Sequence, residues 1–188
     1  MCFQVYLGSA VECPEIPYVN HEDGHSLFPN PEDRKLFAYK HPEHDGLRAI
    51  ITGLSLPYQY HLGIMPCGCG FAYDFPPMED DDIDAQKQLV DYVAACLERS
   101  QPIELMSFWN GDHAQPIEHY RQITLKGLST QWFCFEERQL TIVYKDVESL
   151  HAGLRKAGFQ QKTVDLTTTH QLIIGEDSQL KLKRVDDQ

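Results

Sequence analysis

The sequence predicts an α+β fold, mainly antiparallel sheet with two helices packed on it. Two observations carry that prediction. Short apolar and aromatic runs recur between turn signals, and only residues 82–99 and 147–157 show a helical apolar period. A chain of 188 residues fits one domain, 1–188, with 146–188 as a candidate C-terminal appendage. At this size folding removes roughly 70% of the unfolded chain's surface from water. With 42% hydrophobic residues the fold needs no disulfide or metal merely to exist.

Taken in order, Cys2–Leu7 reads as a short strand ending at Gly8-Ser9. Residues 10–34 hold Pro14, Pro17, Pro29, Pro31 and Gly24 among polar groups and read as a long loop, a kind of segment that is often functional. Strands are expected at Leu36–Tyr39, Leu47–Thr52 and Tyr58–Ile64. In the last, Tyr58, Tyr60, Leu62 and Ile64 alternate with Gln59, His61 and Gly63, the period of a half-buried strand. Pro66-Cys67-Gly68-Cys69-Gly70 then turns the chain, since it cannot continue a regular strand.

The clearer helix runs from Asp82, its expected cap, to Arg99. Glu79, Asp80 and Asp81 suit the positive end of its dipole, and Ile83, Val90, Val93, Ala94 and Leu97 form one apolar stripe. Strands follow at Ile103–Trp109, Tyr120–Leu125, Gln131–Phe135 and Leu140–Tyr144, with turns at Asn110-Gly111-Asp112 and Glu136-Glu137-Arg138. Asp146 caps a second helix over Val147–Ala157, and Gly158 stops it. Leu172–Gly175 and Leu180–Lys183 complete the chain as a hairpin.

Lys plus Arg total 16 and Asp plus Glu total 28, a net charge of -12. That charge repels a phosphate backbone and an anionic membrane, so neither nucleic acid nor membrane is expected as partner. A basic protein partner fits it. No stretch approaches the about 20 apolar residues of a membrane span. Met1–Gly8 also lacks the charged and apolar pattern of a secretory signal. A cytoplasmic location is the resulting expectation. In a reducing compartment the six cysteines are read as buried thiols, metal ligands or redox groups before disulfides.

Cys67 and Cys69 are the most specific chemical feature. Two thiols one residue apart, each followed by glycine, converge on one centre if the backbone bends sharply, and glycine permits the bend. The pair could hold a soft metal such as zinc with two further ligands. It could cycle between dithiol and a strained disulfide. The glycine N–H groups could instead form an anion nest, or the segment could be a tight structural turn. Candidates for the further metal ligands are His61, upstream on the strand that delivers the motif, and Cys2 and Cys13 near the start of the chain. His61 lies on the polar face of its strand, where a surface position is the ordinary reading.

Other clusters are weaker. His21-Glu22-Asp23-Gly24-His25 spells H-E-x-x-H, but among prolines and around a glycine it is not expected to form the helical turn that zinc proteases use. His41-Pro42-Glu43-His44-Asp45 reads as a solvated turn. Cys96, between stripe positions Val93 and Leu97, and Cys134, in Trp132-Phe133-Cys134-Phe135, read as core thiols. Glu79 to Asp82 reads as dipole complement before cation site. No G-x-S-x-G and no P-loop is present.

The stretch from Tyr60-His61-Leu62-Gly63 to Cys67-Gly68-Cys69-Gly70-Phe71 resembles a motif of an uncharacterised family of small bacterial proteins. Those proteins also open with a strand ending in Gly-Ser, like Leu7-Gly8-Ser9, and Trp109-Asn110-Gly111-Asp112 and Phe133–Leu140 are similar to theirs. The resemblance spans most of residues 1–145, and Pro66 departs from it where a glycine is expected. It implies a bacterial cytoplasmic protein and carries no activity. Three functions are compatible with these readings. They are a non-catalytic domain binding zinc or presenting thiols at Cys67 and Cys69, an acidic protein-interaction or immunity-type module, and a thiol oxidoreductase.

Overall fold

A computed structural model describes residues 3–17, 36–40, 53–64, 71, 80–109, 115–129, 135–156, 170–174 and 180–184, with 80–83 and the last two stretches described by backbone alone. In chain order its elements are β1 (Phe3–Ser9), β2 (Leu36–Lys40), β3 (Tyr58–Ile64), α1 (Asp80–Leu97), β4 (Ile103–Trp109), β5 (His119–Thr124), α2 (Leu125–Leu128), β6 (Gln139–Tyr144), α3 (Val147–Lys156), β7 (His170–Ile174) and β8 (Leu180–Arg184). The strands form one sheet in the order β2-β3-β1-β4-β6-β5-β7-β8. Its pairings are antiparallel except that of β5 with β6, which is parallel. The fold is therefore α+β and mainly antiparallel, as the sequence predicts. The added helix α2 is a single turn inside the β5–β6 crossover, the connection that parallel neighbours require.

Two apolar clusters sandwich the sheet. On one face Phe3, Val5, Leu7, Tyr60, Leu62, Ile103, Leu105 and Val143 meet Ala85, Leu89, Tyr92, Val93, Cys96 and Leu97 of α1 and Leu128 of α2. On the other, Tyr6, Leu54, Met106, Phe108 and Leu140 form a second cluster. Helix α3 lies on that second face, with Gly153 against the Tyr144 ring. The alternation in β3 is real, since Tyr60, Leu62 and Ile64 face α1. The expected polar face is nevertheless buried, and His61 is only 7% exposed. The strands beside β3 explain this: Tyr6 and Phe37 also turn apolar groups to that side and cover the imidazole.

Helix α1 begins at Asp80, so Asp82 lies inside the first turn and does not cap it. Asp146 caps α3 as expected, accepting from Ser149 N at 2.8 Å. The anticipated strand 47–52, most of strand 131–135 and the stop at Gly158 lie outside the described residues. Phe3 opposes Trp109, Leu36 opposes Ile64 and Ser107 opposes Gln139, which also pairs with His119. The starts of β1, β2, β5 and β6 and the ends of β3 and β4 thus share one end of the sheet.

Candidate functional site

Cys67 and Cys69 lie outside the described residues, as do Cys2, Cys134, His21, His25, His41 and His44. Both flanks of the Cys67–Gly70 motif are described. Ile64, in register with Leu36, ends β3 before it. Phe71 follows it, 5% exposed. The Phe71 carbonyl accepts from Phe135 N at 3.0 Å, and the two rings meet edge to face with centroids 6.4 Å apart.

Phe135 delivers the chain to a polar network that sequence reasoning missed. Arg121 pairs with one oxygen of the Glu136 carboxylate, and His119 Nδ1 stands 3.4 Å from the other. Ser107 Oγ donates to the Glu136 carbonyl at 2.7 Å, and Glu136 N donates to Gln139 Oε1 at 3.3 Å. Gln139 Nε2 in turn donates to Thr141 Oγ1 at 2.6 Å. The period of β5 held the signal: His119, Arg121 and Ile123 alternate with Tyr120 and Gln122, so the first two share the α1 side of the sheet with Ile123.

The two described ligand candidates are not brought together. His61 belongs to an aromatic cage on the face away from α1. Its ring stacks on Tyr6 at 4.9 Å, meets Phe37 and Tyr39 edge to face, and its Nδ1 lies 2.7 Å from Tyr39 Oη. Burial and then the nearby Tyr39 push the Tyr6 phenol up to about 12, so both hydroxyls of the cage stay protonated at neutral pH. Cys13 lies on the α1 face, level with Tyr60, about 13 Å along β3 from Ile64 at strand rise. The sheet separates it from His61, so one ion does not take both. Its thiol donates to the Val11 carbonyl at 3.9 Å.

Cys96 is a core thiol, as expected, fully buried on α1. Among the described residues no group of three or more His, Cys, Asp and Glu is arranged to hold a metal ion, and no helix is long and apolar enough to cross a membrane. No family model, curated protein or solved structure matches the chain.

Proposed function

We propose that the chain is a small non-catalytic domain that holds a soft cation, zinc by its chemistry, on the thiolates of Cys67 and Cys69. The observation that carries this reading is the anchoring of Phe71, one residue past Gly70. Its bond to Phe135 N at 3.0 Å ties the exit of the motif to the residue before Glu136. His119 and Glu136 offer a nitrogen and an oxygen donor at the same end of the sheet. Glu136 is already paired with Arg121, so His119, 35% exposed, is the better third donor. Two thiolates and one imidazole supply three corners of a tetrahedral zinc site, and a non-catalytic site is closed by a fourth protein ligand. Two adjacent thiolates repel each other, and a bound cation removes the conflict.

Metal content of protein purified without an affinity tag, read with thiol titration in the presence and absence of a strong chelator, tests the reading. Roughly one zinc per chain is expected. Cys67→Ser with Cys69→Ser should lose it while the fold persists, and His119→Ala should release it at lower chelator concentration. No bound metal, with both thiols fully reactive before chelation, overturns the proposal.

A second reading rests on charge. With a net charge of -12 the surface favours a basic protein partner.

A further inference from the structure

The segment 12–14 after β1 is fastened to α1 and to the turn just past its end. The Glu12 carbonyl accepts from Arg99 Nη1 at 3.4 Å and the Pro14 carbonyl accepts from Tyr92 Oη at 2.9 Å. Between them Cys13 packs into the buried cluster that holds Cys96, its sulfur 3.9 Å from the Val11 carbonyl, and the two thiols lie near enough to influence each other. Tyr92 and Cys96 stand one turn apart on one side of α1 and Arg99 lies in the turn just past its end, so a short segment meets the three in order. From the sheet, Tyr60 Oη accepts from Cys13 N at 2.8 Å and donates to the Cys13 carbonyl at 3.1 Å. The backbone of Cys13 is thus gripped on both sides, and its side chain is held in the core cluster that contains Cys96. Both cysteines are free thiols. Cys96 is 0% exposed and Cys13 is 5% exposed, on a segment whose neighbour Val11 is 40% exposed.

We propose that Cys13 and Cys96 form a reversible redox site that hydrogen peroxide oxidises to a disulfide, with Cys13 as nucleophile and Cys96 as resolving thiol. The Cys13 thiolate attacks one peroxide oxygen and the O–O bond breaks. The departing hydroxide takes up the proton that Cys13 released and becomes water, leaving Cys13 as a sulfenic acid. The Cys96 sulfur then attacks the sulfenic sulfur. The S–O bond breaks, the hydroxide leaves with the Cys96 proton as a second water, and the S–S bond forms. Two thiols lose two electrons and two protons, and one peroxide becomes two waters.

Position assigns the two roles: Cys13 lies on the segment that reaches the surface at Val11, and Cys96 is wholly buried on α1. The neighbouring Cys96 thiol also draws the Cys13 thiol below its ordinary range, against its burial and with help from Ser9 and the Arg99 guanidinium. The nearby Cys13 thiol, together with burial, pushes the Cys96 thiol up. Tyr60 and Tyr92, which also face the pair, are both pushed up, chiefly by burial, and add no charge near neutral pH.

This site is separate from the metal reading, and the test keeps the two apart. Reduced full-length protein is exposed to dilute hydrogen peroxide, alkylated and digested, and the peptides are identified by mass spectrometry. A peptide linked through Cys13 and Cys96 should rise from none to the main form of Cys13 and disappear on treatment with dithiothreitol. Cys96→Ser should stop at a Cys13 sulfenic acid that dimedone traps, and Cys13→Ser should leave Cys96 unoxidised. In the Cys67→Ser/Cys69→Ser protein the linked peptide should form to the same extent, whether or not that variant has lost a metal. The proposal is overturned if wild-type Cys13 and Cys96 both stay reduced, if Cys13 links to another cysteine, or if Cys13 over-oxidises with no link to Cys96. The wild-type measurement decides the matter even where a variant fails to fold.

Discussion

Glu104 stands on the face of β4 away from α1, between Ile103 and Leu105, where alternation would place a carboxylate in water. Instead it is 6% exposed. It accepts from Ser55 N at 2.7 Å, from Leu56 N at 3.1 Å and from the Ser55 hydroxyl. One side chain thus satisfies the backbone of the loop that leads into β3. Gly8 makes room for it, since a Cβ there would lie 3.0 Å from Glu104 Oε2 and 3.3 Å from its Cβ. The Gly-Ser end of β1 is legible in the sequence as a stop, but the carboxylate that explains the glycine is contributed from 96 positions further on. Glu104→Ala leaves these donors without an acceptor, at a cost of about 1–3 kcal/mol. A thermal melt should show a midpoint lower by several degrees, since about 2–4 °C accompanies each kcal/mol at this size. Glu104→Gln should fall between the two. An unchanged midpoint for the alanine variant would show that water satisfies the loop equally well.

Helix α3 was the element most fully legible, because its signals are local. Asp146 precedes Val147, and the side chain takes the Ser149 N–H as a capping residue should. That bond holds the Asp146 carboxyl below its usual range. A depressed carboxyl stabilises the fold above its unfolded value, near pH 4, and the contribution disappears as pH falls through the folded value. Asp146→Ala should therefore melt below wild type at neutral pH, and the gap should close under acid. A gap that stays constant with pH would mean that the charge plays no part. What the helix rests on was not local and was not legible. A methyl at Gly153 would overlap the Tyr144 ring, which lies on the strand before the helix and donates its hydroxyl to Gln122 at 3.2 Å. In an exposed helix Gly→Ala gains up to about 1 kcal/mol, whereas overpacking costs about 1–3 kcal/mol. Gly153→Ala should therefore lower the unfolding midpoint in denaturant, and a rise would show that α3 shifts off the ring freely.

At the scale of the whole chain, the strands and the two longer helices could be read from period and turn chemistry, because each depends on neighbours within a few residues. Which residues share a face could not. Cys13 and His61 read as candidate partners for Cys67 and Cys69 by residue type, yet the sheet stands between the first two, and Cys13 shares its core cluster with Cys96, which lies past β2 and β3 in the chain. Charge needs no such geometry. A net charge of -12 is a property of composition, and it acts on a partner before any contact forms. If the second reading under the proposed function is right, association with a basic protein depends on that long-range field. The screening length falls from about 10 Å at 0.1 M salt to about 3 Å at 1 M. A basic protein captured from lysate at low salt should then elute as salt rises, with its on-rate falling more steeply than its off-rate changes. Zinc bound at the thiols should leave this salt profile almost unaltered, since two charges change little in a total of -12. Retention that ignores salt, or capture of no basic protein at all, would separate the acidic surface from any docking role and leave it as a means of keeping the chain soluble.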